Sequence, residues 1–284
     1  MQYGISLPNF GVYSEPRVTA DLAREAEEAG WDGFFVWDHL LFENSWRLEV
    51  ADPWVLLSAI AMKTERVRLG PMVTPLPRRR PWKLARETVT LDRLSGGRLI
   101  LGVGLGYPPK DEFEQFGEDG NDTVRAQKLD EGLEVLTGLW SGEPFGYQGE
   151  HYTVAPETVF LPRPVQSPRI PIWVAGFWPK KAPFRRAARW DGVYPLSLTA
   201  EVDENMPLDE LRAAVAYIQS QRSSEASFDV LAGSSTPGDP AAGAEIVASY
   251  AEAGATWWIE GINPMRGSAE EMRQRVRQGP PRLR

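Results

Sequence analysis

Two histidines and no cysteine limit the chemistry open to this 284-residue chain. Without cysteine there are no thiolate nucleophiles, disulfides or Cys-ligated metal centres. Two histidines cannot build a three-His zinc site, so no metal is expected, and a Ser-His-Asp triad would have to use one of them. Of the pair, His39 is placed for chemistry. It follows Gly33-Phe-Phe-Val-Trp37-Asp38, an apolar run that reads as a buried strand opening into a loop. A histidine there can serve as acid, base or hydrogen-bond donor near neutral pH. Asp38 could orient it or accept a bond itself. The same residues also allow a structural reading, in which Asp38 caps the loop backbone and His39 packs.

Further candidates lie on loops that follow strand-like runs. Gly102-Val-Gly104-Leu-Gly106-Tyr107 would let backbone N–H groups approach a phosphate or a flat ring. It is not the dinucleotide fingerprint, because Pro108 and Pro109 intervene before any helix. Ala175-Gly176-Phe177-Trp178, with Lys180 and Lys181 just beyond, suits an anion in the same way. Arg78-Arg79-Arg80 could hold a polyanion or line a solvated loop, and Arg125 could reach the Gly102–Gly106 loop to neutralise a phosphate. A different chemistry would pair Asp38 with Glu260 as the acid and base of a glycosidase-like hydrolase.

The elements that must position these residues alternate along the chain. Strand-like runs begin at Tyr3, Gly33, Val67, Arg98, Pro171, Gly192, Phe228 and Thr256, and each is followed by a helical pattern. Residues 149–165 interrupt with a Pro-rich β-hairpin after the fourth helix, over Asp122–Trp140. Eight β-then-α units without a linker predict an α/β chain folded as a (β/α)8 TIM-like barrel, one domain over residues 1–277. A doubly wound open sheet is the competing architecture. The tail from Gln278 to Arg284 reads as frayed. Such barrels carry their chemistry at the C-terminal ends of the strands, where the candidates fall.

Composition narrows the partners. With 42% hydrophobic and 25% charged residues the chain reads as a globular protein. Its net charge of −8 has the wrong sign for a nucleic-acid backbone. No apolar run approaches the length of a membrane span, and Met1-Gln-Tyr-Gly-Ile5 enters a strand without a signal-like region, so a cytoplasmic enzyme is expected.

Longer motifs add a resemblance. Leu91-Asp-Arg-Leu-Ser-Gly-Gly-Arg98 leads into Leu99-Ile-Leu-Gly-Val-Gly-Leu-Gly106-Tyr107. Glu112-Phe-Glu-Gln-Phe-Gly117, Leu129–Leu136 with Trp140, Gly149-Glu-His-Tyr152, Pro162-Arg-Pro-Val-Gln166 and Ile170–Gly176 follow in order. From Tyr3 to about Gly261 this pattern resembles the bacterial luciferase-like oxidoreductases. The resemblance implies a TIM-like barrel that binds reduced FMN or the deazaflavin coenzyme F420 at the strand C-termini. It places the phosphate near Gly104, Gly106, Tyr107 and the Ala175–Trp178 loop, with Arg125 assisting. His39 matches the histidine used near the reactive ring. Met72-Val73-Thr74 lies where deazaflavin members carry a non-prolyl cis peptide behind the ring, expected here at Met72–Val73. The Asp38-His39 pair tips the expectation toward F420 and hydride transfer with a small organic substrate. The alternative is an FMN monooxygenase served by a separate flavin reductase. Leu105-Gly106-Tyr107 lacks the acidic residue that sugar-phosphate-oxidising members carry nearby, which argues against that substrate class. The resemblance also leaves a homodimer open, paired through exposed apolar helix faces.

Overall fold

A computed structural model describes residues 1–200 and 204–283. The strands are β1 (Gln2–Leu7), β2 (Gly33–Val36), β3 (Arg68–Pro71), β4 (Thr74–Pro75), β5 (Leu101–Gly104), β6 (Phe145–Gln148), β7 (Thr153–Thr158), β8 (Ile172–Trp178), β9 (Gly192–Ser197), β10 (Asp229–Ala232) and β11 (Trp257–Gly261). The helices are α1 (Pro16–Glu28), α2 (Pro53–Lys63), α3 (Pro81–Leu94), α4 (Pro109–Glu112), α5 (Asp122–Trp140), α6 (Lys181–Ala187), α7 (Leu208–Gln221), α8 (Pro240–Glu252) and α9 (Ala269–Arg277). Helix starts are written in the sequence. Asp52 accepts from the N–H groups of Trp54 and Val55 ahead of Pro53, and Ser268 forms a capping box with Glu271.

The main sheet runs β3-β2-β1-β11-β10-β9-β8-β5-β4, and its strand pairs are parallel. A parallel bridge between Leu69 and Leu99 joins its two ends, so the sheet is a barrel rather than an open wound sheet. Closure needs Gly70, because a Cβ there would lie 1.8 Å from the Ile100 carbonyl oxygen. The third strand is split. β3 pairs with β2, the chain turns at the cis peptide Met72–Val73, and β4 then pairs with β5. Counting β3 and β4 as one strand restores eight. β6 and β7 form the separate antiparallel hairpin after α5.

Two cores hold this shape. Phe35, Met72, Ile100, Trp173, Leu231, Trp257 and Ile259 fill the barrel interior, with the rings of Phe35, Trp173 and Trp257 packed 5.2 to 5.9 Å apart. The larger core lies between barrel and helices. Strands buried on both faces account for near-continuous apolar runs such as Phe34-Phe35-Val36. Glu25 of α1 is paired with Arg273 and Arg277 of α9, which hold its carboxyl down at about 2, so the first and last helices are tied together.

The C-terminal tail is not frayed. The Arg282 guanidinium donates to the Gly30 carbonyl, the Leu283 N–H donates to the Tyr3 hydroxyl, and Gly279 and Pro281 are buried or nearly so. These contacts anchor residues 278–283 under the barrel; Arg284 lies outside the described residues.

Candidate active site

The loops after β1, β2, β4 and β5 converge on His39. Asn9, fully buried beyond β1, accepts from the His39 N–H at 3.2 Å and donates to the His39 carbonyl at 2.9 Å, which fixes that backbone. The ring is oriented by Glu112 at the end of α4, whose Oε1 lies 2.9 Å from Nδ1. Pro109 starts that one-turn helix at its first position. Glu112 is also paired with Arg78 and is fully buried. An arginine-paired carboxylate accepts hydrogen bonds, so the proton of a neutral His39 ring sits on Nδ1 and Nε2 keeps its lone pair. Burial pulls the His39 pKa from 6.5 down to about 4; Asp38 and Asp111 oppose that shift and Arg78 adds to it. The side chain is 18% exposed, so a molecule at the mouth can still reach it. Phe42 lies edge-on to the imidazole at 5.2 Å, and Trp46, 54% exposed, continues this aromatic wall.

Asp38 plays another part than the sequence suggested. It accepts from Thr74 Oγ1 at 2.6 Å, from Arg78 Nη2 at 2.6 Å and from Arg79 Nη2 at 2.7 Å, and it makes no hydrogen bond to the imidazole. With both oxygens engaged by cations it is not a free base. It anchors the Thr74–Arg79 turn beneath His39. The glycosidase pairing also fails. Glu260, wholly buried, accepts from Thr236, Trp258 and Arg266 and lies 3.4 Å from Arg275. Two carboxylates saturated by arginines have no lone pair free to activate a water.

Arg125 is corrected as well. It is 2% exposed, donates through Nη1 to the carbonyls of Leu105 and Gly106 at 3.0 and 2.7 Å, and reaches Gly120 and Asp122 with its other nitrogens. These bonds clamp the loop after β5. Arg78 and Arg79 turn inward to the carboxylates, whereas Arg80 stays exposed. Neither Asn9 nor Glu112 stands out in the sequence as a partner for His39, and Arg78 and Arg79 give no sign there that they pair with carboxylates. A glutamate opening the Glu112–Gly117 motif was the one available signal.

The other candidates gather across the mouth. Val73, just after the cis peptide, and Tyr194 of β9 pack on the interior core and close the barrel from above. Gly104 lets Val73 lie there, since a Cβ at Gly104 would come 2.8 Å from Val73 Cγ2. Tyr107 packs edge-on against Phe177 at 5.8 Å, bringing the ends of β5 and β8 side by side. Among the described residues, the N–H groups of Gly106 and Tyr107 meet no acceptor. Trp178 packs edge-to-face on Phe184 and lies under the Lys181 ammonium at 3.5 Å. Met72 is buried in the barrel interior and Thr74 is spent on Asp38. An apolar platform with free backbone donors beside it fits a flat ring carrying a phosphate. His151, the second histidine, lies between β6 and β7 beside Gln127.

Comparison with known proteins places the chain in a family. Residues 1–237 match the family model described as luciferase-like monooxygenase. Over 192 residues the chain is 32% identical to an F420-dependent glucose-6-phosphate dehydrogenase of Amycolatopsis mediterranei, a match covering 64% of this chain and 53% of that protein. The chain thus spans about half the length of the curated relatives it matches. An F420-dependent secondary alcohol dehydrogenase, solved with an F420–acetone adduct, superposes with a TM-score of 0.79 at 17% identity, covering 100% of this chain and 99% of its own. The oxygenating constituent of 3,6-diketocamphane monooxygenase from Pseudomonas putida, solved with FMN, superposes with a TM-score of 0.65 at 20% identity, covering 82% and 66%. No helix among the described residues is long and apolar enough to cross a membrane. On the family match and the barrel together, the chain belongs to the luciferase-like monooxygenase family.

Proposed function

We propose that this protein is an oxidoreductase that moves a hydride between coenzyme F420 and a small organic alcohol or carbonyl compound. The observation that carries this reading is the His39–Glu112 pair: a buried imidazole, held neutral, with Nδ1 tied to a carboxylate and Nε2 free. When bound, the coenzyme supplies the hydride acceptor or donor. His39 Nε2 takes the hydroxyl proton of the alcohol as its carbinol C–H bond breaks and the carbonyl forms; in the reverse direction it returns that proton. Glu112 stabilises the imidazolium formed in between, and the Asp38–Arg78–Arg79 cluster keeps the turn beneath it from shifting. Val73 and Tyr194 would back the ring, while Gly106, Tyr107 and the Ala175–Phe177 segment would hold the phosphate. Phe42 and Trp46 favour a substrate with an apolar body and one hydroxyl or carbonyl group.

Support for F420 over FMN comes from the dehydrogenase relatives and from a proton-transferring pair that alcohol oxidation requires. The reading as a reduced-FMN monooxygenase, served by a separate flavin reductase, rests on the FMN-bound neighbour and the family's name. Parallel fluorescence titrations of the purified protein with F420 and with FMN separate the two. The proposal expects saturable binding of F420 at least about tenfold tighter than FMN, a difference of about 1.4 kcal/mol. Tighter binding of FMN, or binding of neither, would overturn it.

A further inference from the structure

Beside the mouth lies a cavity of about 490 Å³ that His39, the Gly104–Tyr107 loop and the Ala175–Trp178 segment do not line. Its walls include Arg79, Arg80, Lys128 of α5, His151 and Tyr152 of the hairpin, and Glu118. Donors outnumber their acceptors here. Among the described residues the Arg80 guanidinium and the Lys128 ammonium make neither an ion pair nor a side-chain hydrogen bond, although Lys128 is half-buried. Arg79 keeps a buried Nε–H without an acceptor even while its Nη2 holds Asp38.

Tyr152 is the most constrained of the group. It is 5% exposed, its N–H is fixed by Glu131 at 3.0 Å, and its ring stands edge-on to Trp82 at 6.2 Å. Its side chain is among those lining the cavity. Burial pushes this phenol up to about 12, so it is a neutral donor throughout the physiological range. A neutral phenol in the wall can donate to an acceptor oxygen inside the cavity. The acidic wall residues do not fill that role. Glu118 and Asp119 are exposed, and Asp119 already accepts from the Asn121 N–H at 2.8 Å.

We propose that this cavity binds a small oxyanion-bearing molecule, a phosphate ester or a carboxylate, through Arg80, Lys128 and the Tyr152 hydroxyl. Two cations and one neutral donor around a volume of this size suit a compact ligand with several acceptor oxygens. The site is separate from the redox reading, and it stands whichever cofactor occupies the mouth. Arg79 joins the two regions, because it lines the cavity and also grips Asp38.

Calorimetric titration of the purified protein with inorganic pyrophosphate and with citrate, at constant ionic strength, tests the proposal. Saturable one-to-one binding is expected, weakened about tenfold or more by Lys128→Met and by Arg80→Met, as the loss of a charge-assisted contact implies. Arg80 is exposed, so its replacement leaves the fold intact, and Tyr152→Phe should weaken binding by a smaller factor. Binding of pyrophosphate alone identifies a phosphate ligand, and binding of citrate alone a carboxylate. No saturable binding of either anion, or binding unchanged in both the Lys128 and Arg80 variants, overturns the assignment.

Discussion

At one end of the barrel Arg98 is buried among neutral acceptors; at the other, Arg78 is buried among carboxylates beside an imidazole. Below, the Arg98 guanidinium donates to the carbonyls of Ala61, Thr64, Val67 and Ser95 and to the Thr64 hydroxyl. Nearby, Asp92 accepts from the N–H groups of Val165 and Gln166 and from the Gln166 side chain. Glu27 accepts the N–H groups of Glu65, Arg66 and Val67, which hold its carboxyl below the usual range against its burial. The strong groups there are spent mostly on the backbone, so the network locks the strand starts together. At the mouth the same residue types pair with one another and leave one lone pair uncommitted, on His39 Nε2. The contrast separates stability from chemistry, and it assigns the Leu91–Arg98 signature to the stability end.

That division can be broken from either side. The largest effect is expected from Arg98→Met, which strands several buried carbonyls at once. Urea denaturation should show a loss of about 3 kcal/mol or more, with F420 affinity of the remaining folded protein unchanged. A stability loss under about 1 kcal/mol would mean that the lower network is dispensable.

His39→Ala should do the reverse. Turnover with an alcohol is expected to fall by about 10²- to 10⁴-fold, as for the loss of a positioned acid–base group. Cofactor affinity should hold, and the urea midpoint should move by no more than about 1 kcal/mol is worth. Equal losses in binding and turnover would make His39 a structural residue. The smallest effect belongs to the exposed surface. Lys83→Ala breaks the Lys83–Glu87 pair on α3 and should change stability by less than about 0.5 kcal/mol, measured the same way.

The βα rhythm was legible because buried parallel strands write near-continuous apolar runs, such as Phe34-Phe35-Val36, and helix starts carry Pro or capping residues. The split of the third strand was foreshadowed only by the expected cis peptide; its two pairings, β3 on β2 and β4 on β5, depend on partners far along the chain. His39 could be picked from position and scarcity. Its partner could not, since Glu112 lies 73 residues away and no spacing rule connects a loop after one strand with a one-turn helix after another. A sequence shows charge but not direction, so Arg78 and Arg79 read equally as an anion site or a solvated loop, and Arg125 as a phosphate partner. All three turn out to hold the protein's own carboxylates or carbonyls. The tail read as frayed for a similar reason: Gln-Gly-Pro-Pro is poor in local signals, and its anchors on Gly30 and Tyr3 are long-range.

Proton NMR of the imidazole ring shows directly whether the mouth keeps His39 neutral, so that Nε2 can accept a proton. With only two histidines, a His151→Gln variant assigns the signals. A histidine accepts a proton only while deprotonated, so its capacity as a base is present above its pKa and lost as the pH falls through it. Burial lowers the folded value from 6.5 to about 4, so the His39 resonance should stay in the neutral position down through pH 5 and shift only near pH 4. A midpoint at 6.5 or above would contradict the account, because the ring would then be substantially protonated near neutral pH and the Glu112 pairing would be holding an imidazolium instead of a base.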